Sequence, residues 1–165
     1  MLQTIAEMTD LSQEFIDSAI DGCGVPVFGL PIYNMALSYA YLAGGDFHHP
    51  RKPILRMIAH AMTDEPYFVA GTKRLDTIIM EETAGRILAK LGAESVYCMS
   101  IMDEGIGIAM KIEDGPYRAL DCIVPNLLLK NAYISQDEFD RIYKRLPIGL
   151  KNHRNQLVGE MRSSL

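Results

Sequence analysis

An α+β fold, with helices packed on an antiparallel sheet, is predicted by three observations. Apolar residues recur at helical spacing before residue 92, they alternate along the chain between residues 96 and 112, and helical spacing returns after residue 117. No internal repeat, low-complexity tract or linker-like change in composition divides the chain. We therefore expect a single domain over residues 1–165.

Three helical segments are expected before the sheet. Residues 31–43 carry their apolar side chains on one helical face, which predicts a well-buried helix. A second helix should begin at Pro53 and end before Pro66. A third is expected over about residues 75–91, with a break near Gly85. The apolar residues at helical spacing in the second segment are Ile54, Met57, Ile58, Ala61 and Met62.

The sheet itself is predicted by two alternating segments. "VYCMSIM" (96–102) and "IGIAMKI" (106–112) are separated by "DEG", a short glycine-containing connection that is typical of an antiparallel hairpin. In the second strand, one face carries Ile106, Ile108, Met110 and Ile112, and the other carries Gly107, Ala109 and Lys111. Lys111 therefore has very small neighbours on its own face.

Helical segments follow the hairpin. Residues 117–131 place leucine, isoleucine and valine at helical spacing, and Pro125 should kink or interrupt that helix. The tetrapeptide "SQDE" at 135–138 matches a capping box and predicts the start of another short helix.

Composition excludes several classes of protein. The chain has 16 basic and 21 acidic residues and a net charge of -5, without a basic stripe, so we expect no nucleic-acid partner. No apolar run approaches the roughly 18 residues that cross a bilayer, and the first fifteen residues do not resemble a signal peptide, so we expect no membrane partner. Three widely spaced cysteines without a C-x-x-C motif fit a reducing compartment, and we expect a cytoplasmic protein.

Lys111 is the first candidate for chemistry. Its small neighbours Gly107 and Ala109 leave space for a substrate or another side chain near the strand. A buried lysine can serve as the proton acceptor of a serine nucleophile. The alternative is an ordinary lysine on the solvent-facing side of a strand, which is where most lysines lie.

The segment "DGCGVPVFGLP" (21–31) places Asp21 and Cys23 one residue apart between glycines. In an extended backbone both side chains lie on the same face, where one could bind a metal and the other could orient a ligand. Two donors do not complete a zinc site, which needs three or four. The alternatives are a turn-stabilising carboxylate for Asp21 and a small buried side chain for Cys23.

A third candidate is "VAGTKRLDT" (69–77), a glycine turn that leads into a helix. Backbone amides at the helix start, together with Arg74, could hold a carboxylate or a phosphate, and Thr72 lies in the same turn. A simple helix cap is an equally good explanation. The adjacent His48 and His49 could bind a metal, but solvated loop side chains are the simpler interpretation.

Four segments in order resemble the C-terminal half of the bacterial L-asparaginase II family, from about residue 18 to about residue 162. They are "DGCGVPVFGLP", "VAGTKRLDTIIM", "GIAMKIEDGPYRA" and "NHRNQLVGEMR". The resemblance implies part of a domain similar to serine β-lactamases and penicillin-binding proteins. It also implies hydrolysis of asparagine to aspartate and ammonia by a serine nucleophile paired with lysine.

The resemblance assigns roles residue by residue. It implies a catalytic role for Lys111, a zinc-binding role for Cys23, and a place in the substrate pocket for Asp21. Thr72 and Arg74 lie in a family motif and are expected to bind substrate, without a defined role for either.

The chain also departs from the family pattern. The Ser-x-x-Lys and Cys-x-x-Lys motifs of the family's N-terminal half are missing, and Lys73 and Asn155 stand where glycine is expected. The resemblance therefore implies a half site that needs an N-terminal-half polypeptide as partner. Apolar surfaces left by that missing part would favour a homo-oligomer.

Two other functions remain open at this point. One is a non-catalytic module that keeps the fold and a small-molecule pocket for binding or assembly. The weaker one is a cysteine hydrolase built on Cys23, which lacks a histidine at a spacing that would activate the thiol.

Overall fold

The computed structural model describes residues 1–44 and 50–165, and it has the predicted α+β architecture. His48 and His49 lie outside the described residues. The elements are α1 (Leu2–Thr9), β1 (Asp17–Ile20), β2 (Pro26–Gly29), α2 (Ile32–Leu42), α3 (Lys52–Asp64), α4 (Pro66–Ala70), α5 (Leu75–Glu82), β3 (Ile87–Leu91), β4 (Val96–Ile101), β5 (Ile106–Lys111), α6 (Leu120–Lys130), α7 (Gln136–Arg145), β6 (Gly149–Lys151) and β7 (Leu157–Glu160). In the described part of the chain, every helix is too short or too polar to span a bilayer.

The three-stranded antiparallel sheet β3-β4-β5 carries the core. One face of β4 presents Tyr97, Met99 and Ile101, which are buried in a large cluster with side chains of α5, α6 and α7. The other face presents Cys98 and Ser100, and α2 lies against it, since the Ser100 hydroxyl donates to the Tyr39 carbonyl at 2.7 Å. The sheet is therefore covered on both faces.

Helix α2 approaches the sheet most closely at Gly107 on β5. A Cβ atom added there would lie 1.8 Å from the carbonyl oxygen of Ala36 and 2.4 Å from the amide nitrogen of Ala40. Only glycine lets two backbones come this close. The space beside Gly107, which the sequence analysis left for a substrate, is thus filled by α2.

Several predicted elements are confirmed. The β4-β5 hairpin pairs Ser100 with Gly107 and Ile101 with Ile106, around the predicted connection. The Ser135 hydroxyl accepts from the Glu138 amide at 3.2 Å, and the Ser135 amide donates to the Glu138 carboxylate at 2.8 Å, which is the predicted capping box.

The third predicted helix was wrong in its second half. Helix α5 ends at Glu82, Ala84 and Gly85 adopt positive φ values of 49° and 76°, and residues 87–91 form β3. Ile87, Leu88 and Ala89 are all buried, so this strand shows no alternation that could separate it from a helix.

Three details of the helices also differ from expectation. Helix α2 has no fully buried residue, although it was predicted to be well buried. In α3 the buried side chains are Leu55 and Ala59, whereas Met57 is 65% exposed. Helix α6 continues through Pro125 from Leu120 to Lys130 without interruption. Tertiary packing, which the local pattern does not encode, selects the buried face.

Two small hairpins lie outside the central sheet. β1 pairs with β2, and β6 pairs with β7, each in antiparallel register. All four residues of β1 and of β7 are exposed. The first hairpin carries the segment that contains Asp21 and Cys23.

Candidate functional site

Asp21 organises the turn between β1 and β2. Its Oδ1 atom accepts hydrogen bonds from the backbone amides of Cys23 at 2.8 Å and Val25 at 3.0 Å. Gly24, in the same turn, adopts a φ of 78°, where glycine is favoured. The carboxylate therefore stabilises the turn, which is one of the two interpretations that the sequence left open.

Cys23 is exposed in this turn and carries a free thiol. The alternative of a small buried side chain is therefore wrong for Cys23. Within residues 1–44 and 50–165, no group of three or more histidine, cysteine or carboxylate side chains is arranged to hold a metal ion. Asp21 and Cys23 supply two donors, fewer than a zinc site requires, so the described residues do not form a complete zinc site by themselves.

Lys111 ends β5 and is exposed. Its Nζ atom donates to the backbone carbonyl of Glu94 and, at 2.6 Å, to that of Ile112. The carbonyls fix the ammonium group at the end of the sheet, beside the turn that joins β3 to β4. The solvent-facing alternative describes its position in this structure.

Arg74 immediately precedes α5, after a turn in which Gly71 has a φ of 90° and Lys73 a φ of 58°. Its guanidinium carbon lies 5.9 Å from the centre of the Tyr117 ring, which is the geometry of a cation–π contact. Thr72 is exposed, and the side chain of Arg74, the N-cap residue of α5, makes no capping hydrogen bond to described residues. The simple helix-cap explanation is therefore wrong for this turn.

A pocket of about 200 Å³ lies beside Arg74. Its walls come from the turn before α5, the ends of β3 and β4, and the start of α6. The lining residues are Lys73, Arg74, Leu75, Leu91, Tyr97, Tyr117, Leu120, Asp121 and Pro147. Burial raises the pKa of the Asp121 carboxyl, and the nearby Arg74 guanidinium partly opposes that increase.

Two buried polar groups adjoin this pocket. Asp76 is 1% exposed, and its Oδ2 atom accepts the Leu91 amide at 3.0 Å. Its Oδ1 atom and the hydroxyl of the fully buried Tyr97 find no further partner among the described residues, and the two side chains interact with each other. Burial raises the pKa of Tyr97, and the negative charge of Asp76 and a hydrogen bond between the two side chains raise that pKa further.

The structure brings some candidates together and separates others. Arg74 lies with Tyr117 and Asp121 around one pocket. Among the described residues, no hydrogen bond or ion pair joins Asp21 or Cys23 to Arg74 or Lys111. The described structure therefore does not join these residues of the half site by direct polar contacts.

Four residues around the pocket were not predicted from the sequence as site residues: Asp76, Tyr97, Tyr117 and Asp121. A signal existed for Tyr97, whose hydroxyl stands in a strand segment where the other side chains, apart from Ser100, are apolar or contain sulfur. Asp76 belongs to the helix start that was singled out for Arg74. No local pattern connects residue 76 with residue 121, because packing of α5 and α6 on the same sheet face brings them near each other.

Lys73 and Asn155, which stand where glycine is expected, adopt the backbone conformation that glycine favours. Their φ values are 58° and 59°, both in the left-handed region that favours glycine. The turns thus keep a glycine-type conformation although the side chains differ.

Comparison with known proteins gives one family. A family model described as L-asparaginase II matches residues 1–163. No match was found among the curated proteins. Because the match covers nearly the whole length, the chain belongs to the L-asparaginase II family.

Proposed function

We propose that this chain takes part in the hydrolysis of L-asparagine to aspartate and ammonia. The observation that carries the proposal is the family match over residues 1–163, since membership suggests an amidohydrolase that acts on an amino-acid amide. Its unpaired cysteines, Cys23, Cys98 and Cys122, suit a cytoplasmic location for this reaction.

The proposed mechanism is acyl transfer through a serine. The serine oxygen attacks the side-chain amide carbon as its proton passes to the neutral amine of a lysine. The lysine then gives that proton to the leaving nitrogen, and ammonia departs as an aspartyl ester forms on the enzyme. Water then cleaves the ester and releases aspartate. Lys111 is the proposed proton carrier, and its exposed amino group at the sheet end is accessible to a serine from another polypeptide.

The serine is proposed to come from an N-terminal-half polypeptide that carries the Ser-x-x-Lys and Cys-x-x-Lys motifs. Support comes from the apolar surface of the β1-β2 hairpin and the start of α2. The exposed large side chains there include Ile20 at 68%, Val25 at 48% and Tyr33 at 73%. Such a cluster is typical of an interface. Without that polypeptide, we propose that the same surface drives self-association into a homo-oligomer.

Asp21, Cys23 and Thr72 have proposed roles at that interface. The Cys23 thiol is accessible and could join donors of the other polypeptide at a zinc ion, beside the turn that Asp21 holds. Asp21 and Thr72 would contact the polar head of the substrate.

The proposal is tested by assaying ammonia and aspartate release from L-asparagine. The full chain is measured alone and after mixing with a separately expressed polypeptide that carries both motifs. We expect no turnover from either component alone and turnover from the mixture. No turnover from the mixture, despite complex formation by sedimentation, would contradict the proposed reaction.

Lys111 is tested in the same mixture. Lys111→Ala should reduce kcat by at least about a hundredfold, as expected for loss of a general base. Lys130→Ala, at the exposed end of α6, is the matched control and should leave the rate unchanged. If Lys111→Ala had the same rate as the control, Lys111 would have no catalytic role.

A further inference from the structure

Two hairpins stand apart from the central sheet. In β1-β2 and in β6-β7, each strand pairs with one other strand of the described chain and leaves its second edge unpaired. All residues of β1, β6 and β7 are exposed. A two-stranded hairpin is only marginally stable in water unless a further strand or a helix packs against it. Each hairpin therefore presents a surface that would be stabilised by a partner.

The β1-β2 hairpin is acidic and borders an apolar groove. Asp17 and Asp21 are both exposed, and the sequence has no basic residue between positions 17 and 29. The groove measures about 390 Å³, and Ile20, one of its lining residues, is 68% exposed. Its apolar lining consists of Met1, Leu2, Ala19, Ile20, Pro26 and Phe28. We call β1-β2 the acidic hairpin.

The β6-β7 hairpin carries two leucines on one face. Leu150 pairs with Gly159, and Leu157 lies two residues before Gly159 on the same strand, so both leucine side chains point to the same side of the hairpin. Leu150 is 46% exposed and Leu157 is 67% exposed. This face is therefore an apolar surface without a cover in the described chain.

Two cations of the same hairpin are available to a partner. Lys151, which pairs with Leu157 in the ladder, and Arg154 in the turn are both exposed. Neither forms an ion pair within 4.0 Å among residues 1–44 and 50–165, whereas Glu160 is held by Arg162 at 2.5 Å. We call β6-β7 the basic hairpin. Its charge is complementary to that of the acidic hairpin, and both present apolar surface.

We propose that the basic hairpin of one copy of this chain docks on the acidic hairpin of a second copy. The two leucines of the basic hairpin enter the groove beside Ile20, and its two cations lie beside the two carboxylates. Charges arranged in this way fix the register and orientation of an interface. A two-fold axis forms the same contact twice, which closes a dimer and covers both hairpins of both copies. This contact specifies the self-association proposed above and rests on it, but it does not require asparagine hydrolysis.

Sedimentation equilibrium of the full chain tests the association. We expect a monomer–dimer equilibrium whose dissociation constant increases with added salt, because salt screens charge pairs at an exposed interface. A chain that stays monomeric up to submillimolar concentration would overturn the proposal. Binding of an N-terminal-half polypeptide to such a monomer would assign the hairpins to that polypeptide and not to a second copy.

Charge reversal tests the basic hairpin. Lys151→Glu combined with Arg154→Glu places like charges against Asp17 at both contacts of the dimer. Arg56→Glu combined with Lys130→Glu is the matched control, since both residues are exposed, lie outside the hairpins and give the same change in net charge. The hairpin variant should dimerise at least about tenfold more weakly than the control. Equal dissociation constants for the two variants would overturn the proposal.

A mixture of two reversed chains tests which hairpins meet. Asp17→Lys reverses a charge on the acidic hairpin without removing Asp21, whose carboxylate holds the turn. Alone, this variant should dimerise more weakly than the native chain. Mixed with the Lys151→Glu, Arg154→Glu chain, it should form a heterodimer, because opposite charges then meet at both contacts. A mixture that associates no more tightly than either variant alone would overturn the proposed pairing.

Serine substitutions test the apolar part of the contact. Ile20→Ser and Leu157→Ser should each weaken the dimer at least about tenfold, because each side chain is buried twice in a two-fold dimer. Met57→Ser is the matched control, since Met57 on α3 is 65% exposed and lies outside both hairpins. Far-ultraviolet circular dichroism of the variants checks that the fold is retained. Native dissociation constants in both hairpin variants would overturn the proposal.

Failure of this contact and failure of the proposed reaction are distinguishable. Dimerisation is measured with this chain alone, whereas hydrolysis is measured after mixing with the N-terminal-half polypeptide. A charge-reversed pair that associates, together with a reconstituted mixture that never hydrolyses asparagine, would support the contact and reject the reaction. Hydrolysis by the mixture, together with self-association that is indifferent to the hairpin variants, would support the reaction and reject the contact.

Discussion

Gly107 on β5 lies directly beneath Ala36 of α2, so close that a Cβ atom on Gly107 would be 1.8 Å from the Ala36 carbonyl oxygen. The contact explains why position 107, on the same strand face as Lys111, is glycine: the missing side chain admits the backbone of α2. Lys111 is left at the end of the sheet, where its Nζ atom donates to the carbonyls of Glu94 and Ile112.

Gly107→Ala should destabilise the protein by about 3 kcal/mol or more, because backbone atoms of α2 must move to admit the methyl group. Urea unfolding measured by circular dichroism gives the difference. Gly22→Ala is the control, since a Cβ atom at Gly22 meets nothing within 4 Å, and its effect should stay within about 0.5 kcal/mol. Similar losses for both variants would contradict the close approach of α2.

Lys73→Gly should stabilise the protein by about 1 kcal/mol, because Lys73 has a φ of 58° and a left-handed conformation costs a residue with a Cβ atom about that amount. Asn155→Gly is the matched comparison. Its φ is 59°, but asparagine tolerates this region better, so the gain should be smaller. Thermal unfolding of the two variants measures which of them gains more stability. A loss of stability in Lys73→Gly would show that the lysine side chain stabilises its turn.

Asp21 should tolerate asparagine better than alanine. Asparagine keeps an oxygen that can accept the amides of Cys23 and Val25, whereas alanine leaves both amides without that acceptor. Hydrogen exchange of these two amides should be faster in Asp21→Ala and close to native in Asp21→Asn. In the reconstituted assay, a loss of activity in Asp21→Asn would reveal a need for the negative charge beyond turn formation.

The three cysteines should differ in reactivity toward a thiol reagent at pH 8. Cys23 is exposed, whereas Cys98 and Cys122 are each 3% exposed. Burial raises the pKa of the Cys98 thiol to about 12 and also raises the pKa of Cys122. One thiol should react rapidly in the native protein and three after unfolding, and Cys23→Ser should remove the rapid phase. Rapid reaction of two or more thiols in the native protein would contradict the burial of β4 and α6.

Glu82 should make stability depend on pH. Burial alone would raise its pKa, but hydrogen bonds from Arg145 at 2.6 Å and Arg141 at 2.9 Å outweigh burial, so the pKa lies below the ordinary 4.5. When the pKa of a carboxyl is lower in the folded state than in the unfolded state, its charge stabilises the fold. That stabilisation is complete above the unfolded-state pKa and is lost as the pH falls through the folded-state pKa.

Glu82→Gln should therefore cost about 1 kcal/mol at pH 7, a small value because both arginines are partly exposed. The difference from the native chain should shrink as the pH falls below about 4.5, measured by urea unfolding at several pH values. Glu104→Gln, in the exposed β4-β5 turn, is the control and should show no such trend. A difference that did not shrink at all as the pH falls would mean that the effect is not electrostatic.

The sequence by itself determined the α+β class, the β4-β5 hairpin, and the capping box at Ser135. Each of these depends on residues close together in the chain, where alternation and cap chemistry act locally. The family was also identifiable from the order of four segments, and the match over residues 1–163 agrees with it.

Only the tertiary structure decided how the chemistry is arranged. Strand β3 and the buried face of α3 depend on what packs against them, and a continuous apolar run does not carry that information. The space beside Gly107 could hold a ligand or a helix, and α2 occupies it. The pocket of Arg74, Tyr97 and Asp121 forms because α5 and α6 pack against the same sheet face, so residues far apart in the chain become neighbours.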